Sequence, residues 1–328
     1  MPALDLGQVA LGQAGLFREL FQGEATMPAN GAQQCCHRTL LPPRHLGHKV
    51  SYSATIVSHV RDTGEPLMAT TFSDSKPELM RRAQERLSAE TAESPLTTRQ
   101  KVALTCRALF DAGHDSGLTG QITARAEDPG TYYTQRLGLG FDEITEDNLL
   151  LVDEDLNVLQ GDGMANPANR FHSWIYRARP DVQCIVHTHA FHVAALSMLK
   201  VPLVVSHMDT TPLYDDCAFL ADWPGVPVGN EEGEIITAAL GSKKAVLLAH
   251  HGQVVAGASI EEACSLAVLI ERAAKLQLAA MAAGTIVELP EQLAREAHDW
   301  TLTPARSRAN FGYYARRALA RHPDALST

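Results

Sequence analysis

The spacing of apolar and polar positions divides the chain into two unlike parts. From Leu96 onward, apolar residues recur at helical spacing and alternate with short β-branched runs. VALTCRALFDA has a helical stripe, Thr97 and Gln100 fit a capping box ahead of it, and Gly113 fits the stop. GLTGQITARAEDPGTYYTQ predicts two short strands around an Asp-Pro-Gly turn, and DNLLLVDEDLNVLQGDG predicts a strand, a turn and a second short strand. Asn166-Pro167 marks a helix start, with FHSWIYRAR as the helix and Pro180 as its end. DVQCIVHTH (181–189) predicts a strand, FHVAALSML a helix and PLVVSHM a further strand. A helix is expected over Glu231 to Leu240, KAVLLAHHG (244–252) reads as a buried strand, and QVVAGA as its hairpin partner. Ser259 with Glu262 suggests a second capping box, opening a long helix that runs to Gly284.

Residues 1–90 show no steady period. SYSATIVSHV (51–60) fits a short strand and residues 77–90 an exposed helix, so this part reads as a poorly patterned N-terminal extension. Residues 286–328 read as a C-terminal tail, with NFGYYARR taken as an exposed helix. Strands alternating with helices predict an α/β layered domain, and the hairpin-like pairs predict that its sheet is mixed or largely antiparallel.

Composition narrows the function classes. The chain has 328 residues, with 45% apolar and 20% charged, enough for a sizeable core. Its net charge of −10 lacks the basic footprint of a nucleic-acid binder and disfavours anionic membranes. No apolar run reaches the roughly 18 residues of a membrane span. The six Cys form no C-x-x-C pair, and the first residues lack a basic n-region, which predicts a cytoplasmic protein with reduced thiols.

The candidate chemistry lies in the histidines. His187 and His189 stand two apart at the end of a strand, so both imidazoles project from one face. A second apolar strand ends in His250 and His251 before Gly252. If the two strands are neighbours, three imidazoles converge on one divalent ion. Three neutral nitrogen ligands with an open position form the catalytic pattern of a metal site.

GLTGQITAR, FDEITEDNLLLVD, FHSWIYRARPDV, VHTHAFHVAALSML and VLLAHHGQVVAG, in that order, resemble the class II aldolase/adducin superfamily over more than half of the chain. The resemblance implies a three-layer α/β/α fold with a mixed, largely antiparallel central sheet, covering residues 91–285. It implies His187, His189 and His251 as metal ligands, Zn²⁺ foremost, with Fe²⁺, Mn²⁺ or Co²⁺ as alternatives, and a homotetramer. His250 then stands where Asn is more usual.

The sequence also departs from that pattern. The aldolases of the family carry a Glu where this chain has Ala168, a Ser pair where it has Asn166-Pro167, and Asn where it has Gln121. The usual base and the phosphate cradle are both missing. Asp209, His172 and Tyr214 are the candidates to supply proton transfer or to orient substrate, although Asp209 also fits a cap and His172 a satisfied interior histidine. Glu143 reads as structural, and Asp215 and Asp216 as a solvated loop.

The expected activity is that of a lyase breaking a C–C bond of an unphosphorylated oxo- or hydroxy-acid, by retro-aldol cleavage or decarboxylation, through a metal-stabilised enolate. One alternative is a non-heme Fe(II) oxygenase acting on an arylpyruvate-type acid. The other is a non-enzymatic, adducin-like scaffold.

Overall fold

The computed structural model describes residues 71–327, so the strand expected over residues 51–60 lies outside the described residues. The elements in chain order begin with α1 (Lys76–Glu90), α2 (Thr98–Asp111), β1 (Gln121–Arg125), β2 (Thr131–Thr134), β3 (Leu150–Asp153) and β4 (Val158–Gln160). The middle of the chain forms α3 (Arg170–Ala178), β5 (Cys184–Thr188), α4 (Phe191–Met198), β6 (Cys217–Leu220) and α5 (Asn230–Leu240). The rest forms β7 (Ala245–Leu248), β8 (Gln253–Gly257), α6 (Ile260–Ala283), α7 (Glu291–Thr301) and α8 (Pro304–Arg321).

Local chemistry explains most of these bounds. Thr97 and Gln100 close the capping box of α2 in both directions. Asn166 accepts from the Ala168 amide and caps a short 3₁₀ turn, Pro167–Asn169, that feeds α3. At α6 only half of the expected box forms. Ser259 accepts from Glu262 N, but the Glu262 carboxylate turns to Ala258 N and Lys244.

The strands make one eight-stranded sheet in the order β4-β3-β2-β1-β5-β8-β7-β6. Every pairing is antiparallel except β6 with β7, so the mixed, largely antiparallel α/β expectation holds. One face packs on α2, α4 and α6 through Val102, Leu109, Ile122, Val186, Val193 and Ile270. The other packs on α3 and α5 through Phe171, Ile175, Ile185, Ile236, Val246 and Val254. Burying such side chains stabilises by about 1.5–3 kcal/mol each.

Two expectations are corrected. PLVVSHM is not a strand. Its extended backbone bonds instead to the Gln277 side chain of α6, which accepts from Val204 N and donates to Pro202 O. The edge strand after it is β6, CAFL, which pairs with β7. The second correction concerns α8, which is not a plain exposed helix: Phe311, Ala315 and Ala318 lock it against Leu104, Ala108 and Cys264 of α2 and α6. By contrast α1 buries no residue, as expected of residues 77–90.

His298 of α7 ties the C-terminal helices to the start of β6, binding Asp216 at 2.8 Å and Asp299 at 2.9 Å. Burial pushes its pKa down, and the hydrogen bonds to Asp299 and Asp216 outweigh that and leave it raised. A raised folded pKa contributes stability that is full below the ordinary histidine range and is lost as pH rises through the folded pKa. Replacing His298 with Ala is therefore expected to destabilise more at pH 5.5 than at pH 9, which urea titrations at both values would check. An equal loss at both would count against the clasp.

Candidate metal centre

Strand register brings the three histidines together. β5 pairs with β8 so that His187 stands opposite Val254 and Thr188 opposite Gln253. His187 and His189 flank the end of β5, and His251 sits in the turn joining β7 to β8. That turn is held by Leu248 N bonding Gly252 O and His251 N bonding Leu248 O. Gly252 is required by contact rather than by its dihedral angle, because a Cβ there would lie 2.3 Å from Thr188 O and 2.9 Å from the His189 ring. At the start of β1, Gly120 (φ +110°) sits where a Cβ would be 3.1 Å from His187 O.

The three rings have centroids 4.6–4.9 Å apart, and one nitrogen from each lies within 4.8 Å of the others. His187 Nε2 and His189 Nε2 are 3.1 Å apart. Two nitrogens on one tetrahedral ion, each at about 2.0–2.1 Å, would be about 3.3 Å apart, so the spacing fits a shared ion. His187 Nδ1 donates to Gln253 O at 2.9 Å, which directs its Nε2 lone pair to the group.

Electrostatics favours the same state. Burial, then His251 and His189, hold the His187 pKa well below its ordinary value. Burial lowers His189 as well, and burial followed by His189 brings His251 down to about 4. Imidazoles with lowered pKa values are neutral at pH 7, the form that binds a metal without releasing a proton.

Two sets of buried polar residues brace the group. On the α3 face, His172 binds Thr123 Oγ1 through Nδ1 at 2.8 Å, and Phe171 meets both the His172 and His187 rings edge-on. Burial brings the His172 pKa down to about 3, and its Nε2 has no partner among the described residues. Gln121, directly opposite His187 in β1, likewise leaves its Oε1 unpaired. On the opposite face, Thr188 Oγ1 meets His114 Nδ1 at 2.8 Å and Gln253 Nε2 at 3.0 Å, and that amide also donates to Ala267 O of α6.

The other candidates lie elsewhere. Asp209 opens a 3₁₀ turn, pairs with Arg272 at 3.4 Å, and lines a cavity of about 290 Å³ that none of the three histidines borders. Tyr214 carries Arg295 over its ring at 5.4 Å. Neither makes a hydrogen bond, ion pair or ring contact with the triad, whereas His172 reaches it through Phe171 and lies near enough to His187 to lower its pKa. Asp215 pairs with Lys243, Asp216 with His298, and Glu143 accepts from Gly140 N. His250 is exposed with φ +57°, a backbone conformation that Asn adopts more readily, which accounts for the Asn expected there.

Sequence reasoning missed Glu271. This buried carboxylate of α6 accepts from His192 N, Val193 N and His192 Nδ1, the last at 2.5 Å. It thereby holds the N-terminus of α4 directly after His189. Its 79-residue separation from His192 leaves no local signal in the sequence.

Residues 100–278 match the family model described as the class II aldolase and adducin N-terminal domain. The chain is 34% identical over 182 residues to a protein of Streptomyces niveus named decarboxylase NovR, covering 55% of this chain and 67% of that one. It is also 34% identical to a 4-hydroxy-3-prenylphenylpyruvate oxygenase/4-hydroxy-3-prenylbenzoate synthase of Streptomyces roseochromogenus, covering 55% of this chain and 66% of that one. The chain thus spans about two thirds of the length of these two relatives. An L-fuculose 1-phosphate aldolase structure from Glaciozyma antarctica superposes with a TM-score of 0.67 at 26% identity, covering 74% of this chain and 99% of that one.

Substituting Gly252 with Ala should force the β7–β8 turn away from β5. We expect a stability loss of about 1–3 kcal/mol and a protein that no longer retains a divalent ion through gel filtration, read by elemental analysis. Full metal retention in that variant would contradict the steric account.

Proposed function

This chain belongs to the class II aldolase and adducin family and is a lyase of that family, and we propose that its substrate is an unphosphorylated oxo- or hydroxy-acid. The reaction under this reading is cleavage of a C–C bond, with decarboxylation favoured over retro-aldol cleavage. The observation that carries it is a histidine triad whose nitrogens fit one ion, in a chain with Ala168 and Asn166-Pro167 at the positions where the aldolases it resembles carry a carboxylate and a Ser pair. Ala168 presents a methyl group, Pro167 no hydrogen-bonding side chain, and the Asn166 side-chain oxygen is engaged in capping Ala168 N. Decarboxylation fits that set, since loss of CO₂ leaves the electron pair without a base to remove a proton. A divalent ion held by His187, His189 and His251 would supply Lewis acidity toward a carbonyl and its neighbouring oxygen.

The chain's own residues have simpler tasks. Gln253 O fixes the tautomer of His187, Glu271 steadies the segment after His189, and neutral His172 orients substrate from beside His187. The name decarboxylase carried by the Streptomyces niveus relative supports this reading. A second reading, an iron-dependent oxygenase acting on an arylpyruvate-type acid, is supported by the name of the other Streptomyces relative. Zn²⁺ is the ion we assign, and a homotetramer the assembly.

The test is elemental analysis of protein purified without oxygen, followed by turnover assays. Zinc near one per chain, its loss in His189→Ala, and CO₂ release from oxo-acids at a kcat/KM above that for L-fuculose 1-phosphate would support the lyase reading. Iron with substrate-dependent O₂ uptake would replace it with the oxygenase. Preferential turnover of the phosphorylated ketose would overturn the substrate assignment.

A further inference from the structure

A second cavity begins two residues beyond His189. It measures about 610 Å³, within the range of small-molecule sites, and lies between α4, the turn after α2, α6 and α8. None of the three triad histidines lines it. Phe191, Val268 and Tyr314 give it apolar and aromatic wall, and Arg272 and Lys275 stand one helical turn apart on α6.

The charges are unevenly committed. Glu271, also in the wall, is turned inward, both of its oxygens engaged by the first amides of α4 and by His192. Lys275 has no ion pair or hydrogen bond among the described residues. The ion partner of Arg272 is Asp209 at 3.4 Å, a residue that lines the neighbouring cavity and not this one. Asp115 is the remaining acid on the wall, and it is exposed. Phe191 is 72% exposed, unusual for a side chain of its size. An apolar wall beside Lys275, whose side chain has no ion pair among the described residues, and Arg272, held by a single long contact of 3.4 Å, suits a flat or branched hydrocarbon bearing a carboxylate.

We propose that this cavity binds a small organic carboxylate at a site separate from the metal centre. Arg272 and Lys275 hold the carboxylate, and Phe191 and Tyr314 cover the hydrocarbon body. The assignment goes beyond the lyase reading and does not depend on it.

The test uses the full-length metal-loaded protein with benzoate as probe and benzamide as its uncharged control, followed by ligand-observed NMR titration. The variants are Arg272→Met with Lys275→Met, both exposed and outside the core, and His189→Ala. The expected result is benzoate binding to the wild type and to His189→Ala, weakened about tenfold or more in the double variant, with benzamide binding no better to the wild type than to the double variant. No benzoate binding to the wild type, equal affinity in the double variant, or loss of binding in His189→Ala would overturn it. Because binding alone is read, a failed lyase assay leaves this outcome unaffected, and the reverse holds too.

Discussion

The antiparallel pairing of β5 with β8 is the constraint on which the site depends. It sets His187 opposite Val254, gives the His187 ring a carbonyl at Gln253, and draws the β7–β8 turn so close to the end of β5 that residue 252 has no room for a side chain. A shift of one residue would send His187 to the opposite face of the sheet and carry His189 out of place with it. The register is fixed from both faces, since Val186 and Val255 pack under α2, α4 and α6 while Ile185 and Val254 pack under α3 and α5. The convergence of the three histidines is thus a by-product of core packing.

Neutral imidazoles crowded together and partly withdrawn from solvent are costly unless something shares their lone pairs. The lowered pKa values of His187, His189 and His251 express that cost from the protein's side. The same burial sets the character of His172, a neutral ring with an unpaired nitrogen next to the triad. A group of this kind can accept a hydrogen bond from a substrate hydroxyl but is a weak proton reservoir at pH 7. That suits a reaction in which bond cleavage itself leaves the electron pair.

What the sequence made legible was local. Thr97 and Gln100, Asn166 with Pro167, the Asp-Pro-Gly turn and the two-residue spacing of His187 and His189 each act over a few residues, and each appears in the structure as expected. Two of the departures share one cause, a partner far along the chain. PLVVSHM has the β-branched composition of a strand, but Gln277, more than 70 residues away, meets its backbone groups. Glu271 and the Gln253 carbonyl act over similar distances, which no periodicity reports. The tail was misjudged because its buried stripe is Phe311 with two alanines, an apolar face too slight to stand out among arginines.

Helix α6 joins these long-range contacts. Through Glu271 it holds the start of α4, through Gln277 the extended segment before the 3₁₀ turn, and through the Ala267 carbonyl the Gln253 side chain at the mouth of β8. Functional loops usually come from the least stable end of a fold and open by local fraying. Here the segments around the histidines are fastened to the longest helix among the described residues, whose inner face lies in the main core. The histidine-bearing turns therefore belong to the same cooperative unit as that core, so the triad geometry and the fold are lost together rather than one before the other.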